Sequence, residues 1–305
     1  MMLCIHVWEP SSTEDPVMLD MHTHVWPHAP GTPNPTYDRL ARICETAAAA
    51  GITEVAITEH CHRFDRVIDE VLPHWEHDGD AALRAAADHS IEVESGGDLD
   101  AYVAALVDAQ DRGLPLLIGI EVDRIPGAIE PMAAVLDDYP FDVRLGSVHW
   151  LGSWLLDDYG NPSFAREWAT RQTDDVWRQY IDAIDELAMS GMVDVLAHLD
   201  VVKVAGHRPA DVTAHEDRLA QVVVASGLAV EVSSAGWRKP CDEFYPSPTL
   251  LDRLVSAGVP LTTASDAHTL EHLGWGYDRL SAELDRRGVT ELTSFDRRRA
   301  RKVSR

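Results

Sequence analysis

Seven short apolar runs recur along the chain, at residues 17–21, 52–58, 114–120, 141–148, 192–197, 228–232 and 259–264. Each has the length of a buried strand, and the segments between most of them carry apolar residues at helical spacing. Tyr37, Leu40, Ile43 and Ala47 predict a helix over residues 36–50 that stops at Gly51. Asp98 is placed to cap a helix whose inward face is Tyr102, Leu106 and Ala109, with Gly113 at its end. Further helices are predicted near residues 131–139, around Val176, Tyr180, Ile184 and Leu187, over 214–226 and over 248–257. Such alternation implies a parallel sheet. At this length the pattern favours a closed or nearly closed single-domain α/β barrel over a doubly wound sheet.

Three stretches lack a clean period. Residues 61–97 are charged and histidine-rich, and read as a solvated loop with short helical pieces, a candidate lid over a site; His62, His74, His77 and His89 in it are given no ligand role. Residues 151–168 read as a polar, aromatic-rich loop. From Gly276 onward a final helix is expected, then a short apolar piece near Leu292 and a basic, frayed terminus over 297–305.

Chemistry collects where the apolar runs end. The first stops on His22 and His24, which lie two residues apart and so point the same way in a strand, with His28 in the loop that follows. The second ends on His60, the third on Glu121 with Asp123, the fourth on His149, the fifth on His198 with Asp200, and the seventh on Asp266 and His268. In an α/β barrel these ends share one face. Imidazole with carboxylate suits zinc, iron or manganese, and the absence of cysteine from the set argues against a structural zinc. Nine candidate ligands exceed what one ion can use, so two or three divalent transition-metal ions are implied.

Composition narrows the partners. Lys+Arg 26 against Asp+Glu 51 gives a formal charge of −25, which excludes the basic footprint that tracking a nucleic-acid backbone requires. Four cysteines without a Cys-x-x-Cys pair do not make a disulfide framework, so a reducing compartment is expected. No apolar run reaches membrane-spanning length, and residues 1–16 lack a signal-peptide core. A cytoplasmic protein with no membrane partner, an N-terminal extension over 1–16 and a barrel over 17–305 is the expectation; its oligomeric state is left open.

The ordered set Asp20-Met-His-Thr-His24, Thr58-Glu-His60, Gly119-Ile-Glu-Val-Asp123, Gly146-Ser-Val-His149, Ala197-His-Leu-Asp200, Ser234-Ala-Gly-Trp-Arg-Lys-Pro240, Tyr245-Pro-Ser-Pro248 and Ser265-Asp-Ala-His268 resembles the polymerase and histidinol phosphatase (PHP) superfamily, in its histidinol-phosphate phosphatase branch. The resemblance implies a distorted (β/α)7 barrel, similar to a TIM barrel, with a trinuclear metal centre. It assigns His22, His24, Glu121 and Asp266 to one ion, Glu121 with His149 and His198 to a second, and His28, His60 and His268 to a third. Arg238 resembles the family's phosphate-binding arginine, and Lys203 is a second candidate contact. Asp123 and Asp200 either orient ligand histidines or cap helices, and Asp20 is expected to be structural rather than a ligand.

A phosphomonoester dianion repels nucleophiles, and its hydrolysis needs positive charge on the non-bridging oxygens together with a deprotonated water near pH 7, both of which a metal cluster supplies. The expected activity is hydrolysis of L-histidinol phosphate to L-histidinol and phosphate. Two alternatives stand beside it: a phosphoesterase for another small ester such as a nucleotide, and a non-catalytic metal-binding module.

Overall fold

In β1 (Met18–Thr23) all six residues are buried. One face of such a strand looks into a barrel and the other into a helical layer, which is why the run has no polar alternation. The computed structural model of the protein describes residues 17–28 and 34–305; the expected N-terminal extension lies outside the described residues. Thr36 accepts a hydrogen bond from Arg39 N and opens α1 (Tyr37–Ala49), which buries Leu40, Ile43, Cys44 and Ala47. Gly51 at φ +78° then turns the chain into β2 (Ile52–Ile57).

After β2 come α2 (Asp65–Glu70) and α3 (Ala81–Glu94), and then α4 (Leu99–Asp111), capped by Asp98 as its sequence predicts. β3 (Leu116–Asp123), α5 (Ile129–Leu136) and β4 (Val143–Ser147) follow. A two-rung hairpin, β5 (Trp150–Leu151) and β6 (Trp154–Leu155), leads to α6 (Pro162–Thr170) and α7 (Thr173–Met189). Next are β7 (Val195–Leu196), α8 (Thr213–Ser226), β8 (Ala229–Ser233), α9 (Pro248–Ser256) and β9 (Leu261–Ala264). The chain ends with α10 (Tyr277–Arg286), β10 (Glu291–Asp296) and β11 (Arg299–Ser304).

β1, β2, β3, β4, β7, β8 and β9 form one parallel sheet in that order. The sheet curls until β9 meets β1, but the seam is mostly not a regular ladder. Thr263 Oγ1 donates to Leu19 O and accepts from Leu19 N, Asp20 Oδ1 accepts from Ser265 N at 2.8 Å, and at the upper end His24 N donates to Ala267 O at 2.8 Å. Side chains therefore replace backbone rungs, and the result is a single-domain, nearly closed seven-stranded α/β barrel. Asp20, expected to be structural, accepts from Ser265 N across this seam.

Three aperiodic stretches are more ordered than their sequences indicate. In the 61–97 segment, α3 runs for 14 residues on an Asp80 cap and buries only Leu83, Ala87 and Ile91. Alanines and charges dilute that stripe, which is why no helical period stands out. The segment is fastened over the barrel mouth, with Trp75 Nε1 donating to Gly152 O at 3.1 Å and Glu76 N to Pro126 O at 2.8 Å. In 151–168 the expected loop contains the small hairpin and α6, which Asn161 caps and Pro162 opens. The basic terminus is not frayed either. β10 and β11 pair as an antiparallel hairpin beneath the barrel, and Arg298 donates to Gly191 O at 3.0 Å, Met192 O at 3.1 Å and the Asp194 carboxylate. Those partners belong to the turn before β7, more than a hundred residues away, so the sequence gives no local sign of them. Among the described residues no helix is long and apolar enough to cross a membrane.

Candidate metal centre

The carboxyl ends of the barrel strands converge on Glu121, which is fully buried on β3. Its Oε2 lies 3.1 Å from His22 Nε2, 3.5 Å from His24 Nε2 and 2.8 Å from His60 Nδ1. Its Oε1 lies 3.2 Å from His198 Nε2 and 3.5 Å from His149 Nε2, and those two nitrogens are 3.3 Å apart. Asp266 Oδ1 is 3.5 Å from His24 Nε2 and 3.8 Å from His22 Nε2. The His268 ring stacks on His24 at 3.9 Å and on His28 at 4.1 Å. Eight of the nine sequence candidates are thus packed into one cluster. His28 stands at its edge with a side chain 54% exposed.

Several of these polar atoms are buried without a hydrogen-bond partner: His22 Nε2, Glu121 Oε2, His268 Nε2 and both ring nitrogens of His24 and of His60. So many orphaned groups would be costly in a protein interior, and a cation between them satisfies them together. The spacing fits one as well. Ligands at about 2.0–2.1 Å from a tetrahedral zinc are about 3.3–3.4 Å from each other. The Glu121, His149 and His198 atoms are 3.2, 3.3 and 3.5 Å apart. Donor triads that can hold an ion include His22, His24 and Asp266; His22, Glu121 and His198; His60, Glu121 and His149; and His24, His60 and His268.

Electrostatics favours the ligand forms at several of these positions. Burial alone would raise the Glu121 carboxyl, but the His60 and His22 imidazoles beside it hold it well below the usual carboxylate range. Asp266 is likewise pulled well below that range, against burial, by His22 and His24. Burial pushes His24 down to about 3, and burial with the neighbouring His24 and His28 holds His268 well below the ordinary imidazole value, so both rings are neutral near pH 7. Two of the candidate ligands also sit at positive φ, His198 at +26° and Asp266 at +50°, where non-glycine residues are strained.

A ring of carboxylates fixes the imidazoles from behind. Asp123 Oδ1 accepts from His149 Nδ1 at 2.6 Å and its Oδ2 from His62 Nδ1 at 2.8 Å, so Asp123 orients histidines. Glu231 Oε2 accepts from His22 Nδ1 at 2.9 Å, and its Oε1 from His198 N at 2.7 Å. Glu59 Oε1 accepts from Val25 N at 2.6 Å and holds the turn after β1. The sequence reading missed Glu231, although a carboxylate inside the apolar run of β8 is a signal of its own. It also gave no role to His62, which is buried and grouped with His60 and Asp123.

Asp200 and Lys203 are corrected by their surroundings. Lys203 is fully buried, and Nζ donates to Asp200 Oδ2 at 2.8 Å, Glu243 Oε2 at 2.7 Å and Phe244 O at 2.9 Å. With all three donors engaged inside the protein it is not available to a phosphate, and Asp200 serves this internal pair rather than a ligand histidine. Arg238 Nη2 donates to the carbonyls of Ser265 and Asp266 at 2.7 and 3.1 Å, bracing the loop that carries Asp266, while Nη1 is buried without a partner. The cationic side chain on the cavity wall is the next residue, Lys239. That cavity has a volume of about 500 Å3 and is bounded by the metal-ligand cluster, by Trp150 and Leu155, by Asp157 and Asp158, and by Ser90 and Glu94 of α3.

Comparison with known proteins places this geometry. The chain is 31% identical over 260 residues to a probable histidinol-phosphatase of Deinococcus radiodurans, covering 84% of this chain and 88% of that protein. It is 23% identical to a probable histidinol-phosphatase of Schizosaccharomyces pombe, covering 85% and 84% respectively. A histidinol phosphate phosphatase from Lactococcus lactis, solved with zinc, L-histidinol and phosphate, shares the fold with a TM-score of 0.69 at 17% identity, over 93% of this chain and 99% of that one. A second structure, from Listeria monocytogenes, gives 0.66 at 18% identity, over 85% and 98%. The PHP domain family model matches residues 22–235, from His22 to just beyond the sixth barrel strand. With the strand-end ligand set and the seven-stranded barrel, this match means that the chain belongs to the PHP domain family.

Proposed function

We propose that the protein is a metal-dependent phosphomonoesterase that hydrolyses L-histidinol phosphate to L-histidinol and phosphate, in histidine biosynthesis and in a reducing cytoplasm. The observation that carries the reading is the set of buried, unpartnered imidazole and carboxylate atoms at the floor of an open cavity. In this reading His22, His24, Asp266 and Glu121 would hold one ion, His149 and His198 with Glu121 a second, and His60, His268 and His28 a third. Bound there, zinc, iron or manganese ions would supply Lewis acidity and an activated water.

The chain's own residues do the rest. Asp123 and Glu231 accept from the Nδ1 atoms of His149 and His22 and so turn their Nε2 atoms inward. Lys239 is placed on the wall to meet a phosphate oxygen, and Arg238 steadies Asp266 through the carbonyls it holds. Trp150 and Leu155 supply apolar wall, while Asp157 and Asp158 favour a cationic group on the substrate over a second phosphate. The free cysteines Cys44, Cys61 and Cys241 are compatible with a reducing compartment. The names of the Deinococcus relative and of the zinc-, histidinol- and phosphate-bound Lactococcus protein support this substrate.

The test is phosphate release from L-histidinol phosphate beside a panel of nucleotides and aryl phosphates, on protein whose metals have been counted. Selective release with two or three ions per chain is expected. Full loading with turnover only of other esters would remove the histidinol substrate and keep the metal chemistry; inactivity on the whole panel would leave a metal-binding module.

A further inference from the structure

His28 differs from every other candidate ligand. It leaves the barrel on a loop, and its side chain is more than half exposed. A loop imidazole of that kind must lose its rotamer freedom before it can serve an ion, unless something holds it first. Here something does. Glu94, in the last turn of α3, has Oε1 at 2.9 Å from His28 Nδ1. Its Oε2 accepts from Arg63 Nη2 at 3.0 Å, and the same guanidinium nitrogen donates to Pro27 O at 3.3 Å, one residue before His28. Arg63 itself is fully buried. The loop backbone and the loop imidazole are therefore clamped by one fixed ion pair.

The clamp has a chemical sense as well as a mechanical one. With Nδ1 donating to Glu94, the lone pair of the neutral His28 ring is on Nε2, and the ring stacks at 4.1 Å on His268 and lies 5.4 Å from His60. Carboxylates behind ligating imidazoles fix the tautomer and raise basicity. We infer that Glu94 is the positioning residue of the third ion: held by Arg63, it presents His28 to the site formed by His60 and His268, so the segment over residues 61–97 completes the metal centre. The inference rests on the three-ion reading above.

The experiment counts bound metal and measures the affinity of the weakest ion by competition with a chromophoric chelator. Wild type, His28→Ala, Glu94→Ala, Glu94→Gln and the His28→Ala/Glu94→Ala double variant are compared, with circular dichroism and thermal midpoints recorded in chelator. Glu94→Ala is expected to weaken the third ion by about 10–100-fold, in the direction of His28→Ala, with the other two ions unmoved. Glu94→Gln should weaken it less, because its amide oxygen still accepts from Nδ1 without the charge. The double variant should lose no more than His28→Ala alone. A purely structural clamp would lower the midpoint and leave the ion count and affinity as in wild type, and that pattern in both Glu94 variants overturns the inference. A wild-type protein that holds two ions, both kept by His28→Ala, sinks the three-ion reading first and the inference with it.

Discussion

Asp123 shows how much of the proposed centre depends on carboxylates standing behind the candidate histidines. It is buried between His149 and His62, and its carboxylate is held well below the usual range, against burial, by His62 and His60. Asp123→Asn keeps the shape but breaks the charge-assisted bond to His149 Nδ1. Metal affinity is expected to fall by about 10–100-fold with the fold intact, as read by metal titration and circular dichroism. Removing a ligand itself is more severe. His149→Ala and Asp266→Ala should each lose bound metal and abolish phosphate release while the barrel stays folded; either variant turning over at wild-type rate would remove that residue from the centre. Arg238→Ala separates two roles. Its bond to the Asp266 carbonyl means that a lower metal content should accompany weaker substrate binding. A rise in KM with metal content unchanged would instead make Arg238 a direct phosphate contact.

At the scale of elements, strands and capped helices were legible because their signals are local. Thr36 and Asp98 cap α1 and α4, and the strand ends carry the candidate ligands where the apolar runs stop. The C-terminal hairpin was not legible, since its basic residues are ordered by partners far away in sequence. Arg298 grips Gly191, Met192 and Asp194, while Arg301 and Ser294 both engage Glu54 on β2. Arg298→Ala removes a donor from two carbonyls and from the Asp194 carboxylate, which keeps Arg144 N, and is expected to cost about 1–3 kcal/mol. The thermal midpoint should fall by several degrees with phosphate release at 25 °C unchanged; an unmoved midpoint would mean that the hairpin contributes little to the barrel's stability.

For the whole molecule the charge of −25 and the proposed anionic substrate are reconciled by locality. Ions held at the strand ends would make the cavity floor positive while the exterior stays acidic, which also predicts that metal and stability are linked. Each ion at about a hundred times its dissociation constant adds roughly 2.7 kcal/mol to stability. Exhaustive chelation should therefore lower the midpoint by roughly 5 °C for each ion lost and abolish turnover, and zinc, iron or manganese should restore both. A midpoint insensitive to chelator would show that the buried donors tolerate each other without a cation.

By itself the sequence determined the repeating strand–helix order and the gathering of imidazoles and carboxylates at the strand ends. The order follows from spacing of two or of three and four along one segment, and the polar ends from where each apolar run stops. Only the tertiary structure decided which carboxylates stand behind those ligands. Glu231 and Glu94 reach His22 and His28 from 209 and 66 residues away, and neither spacing nor residue type ties them to a particular imidazole. The same holds for Lys203, whose charge suggested a phosphate until its burial against Asp200 and Glu243 showed its donors already taken. A side chain's type limits what it can do, and its neighbours after folding decide which of those things it does.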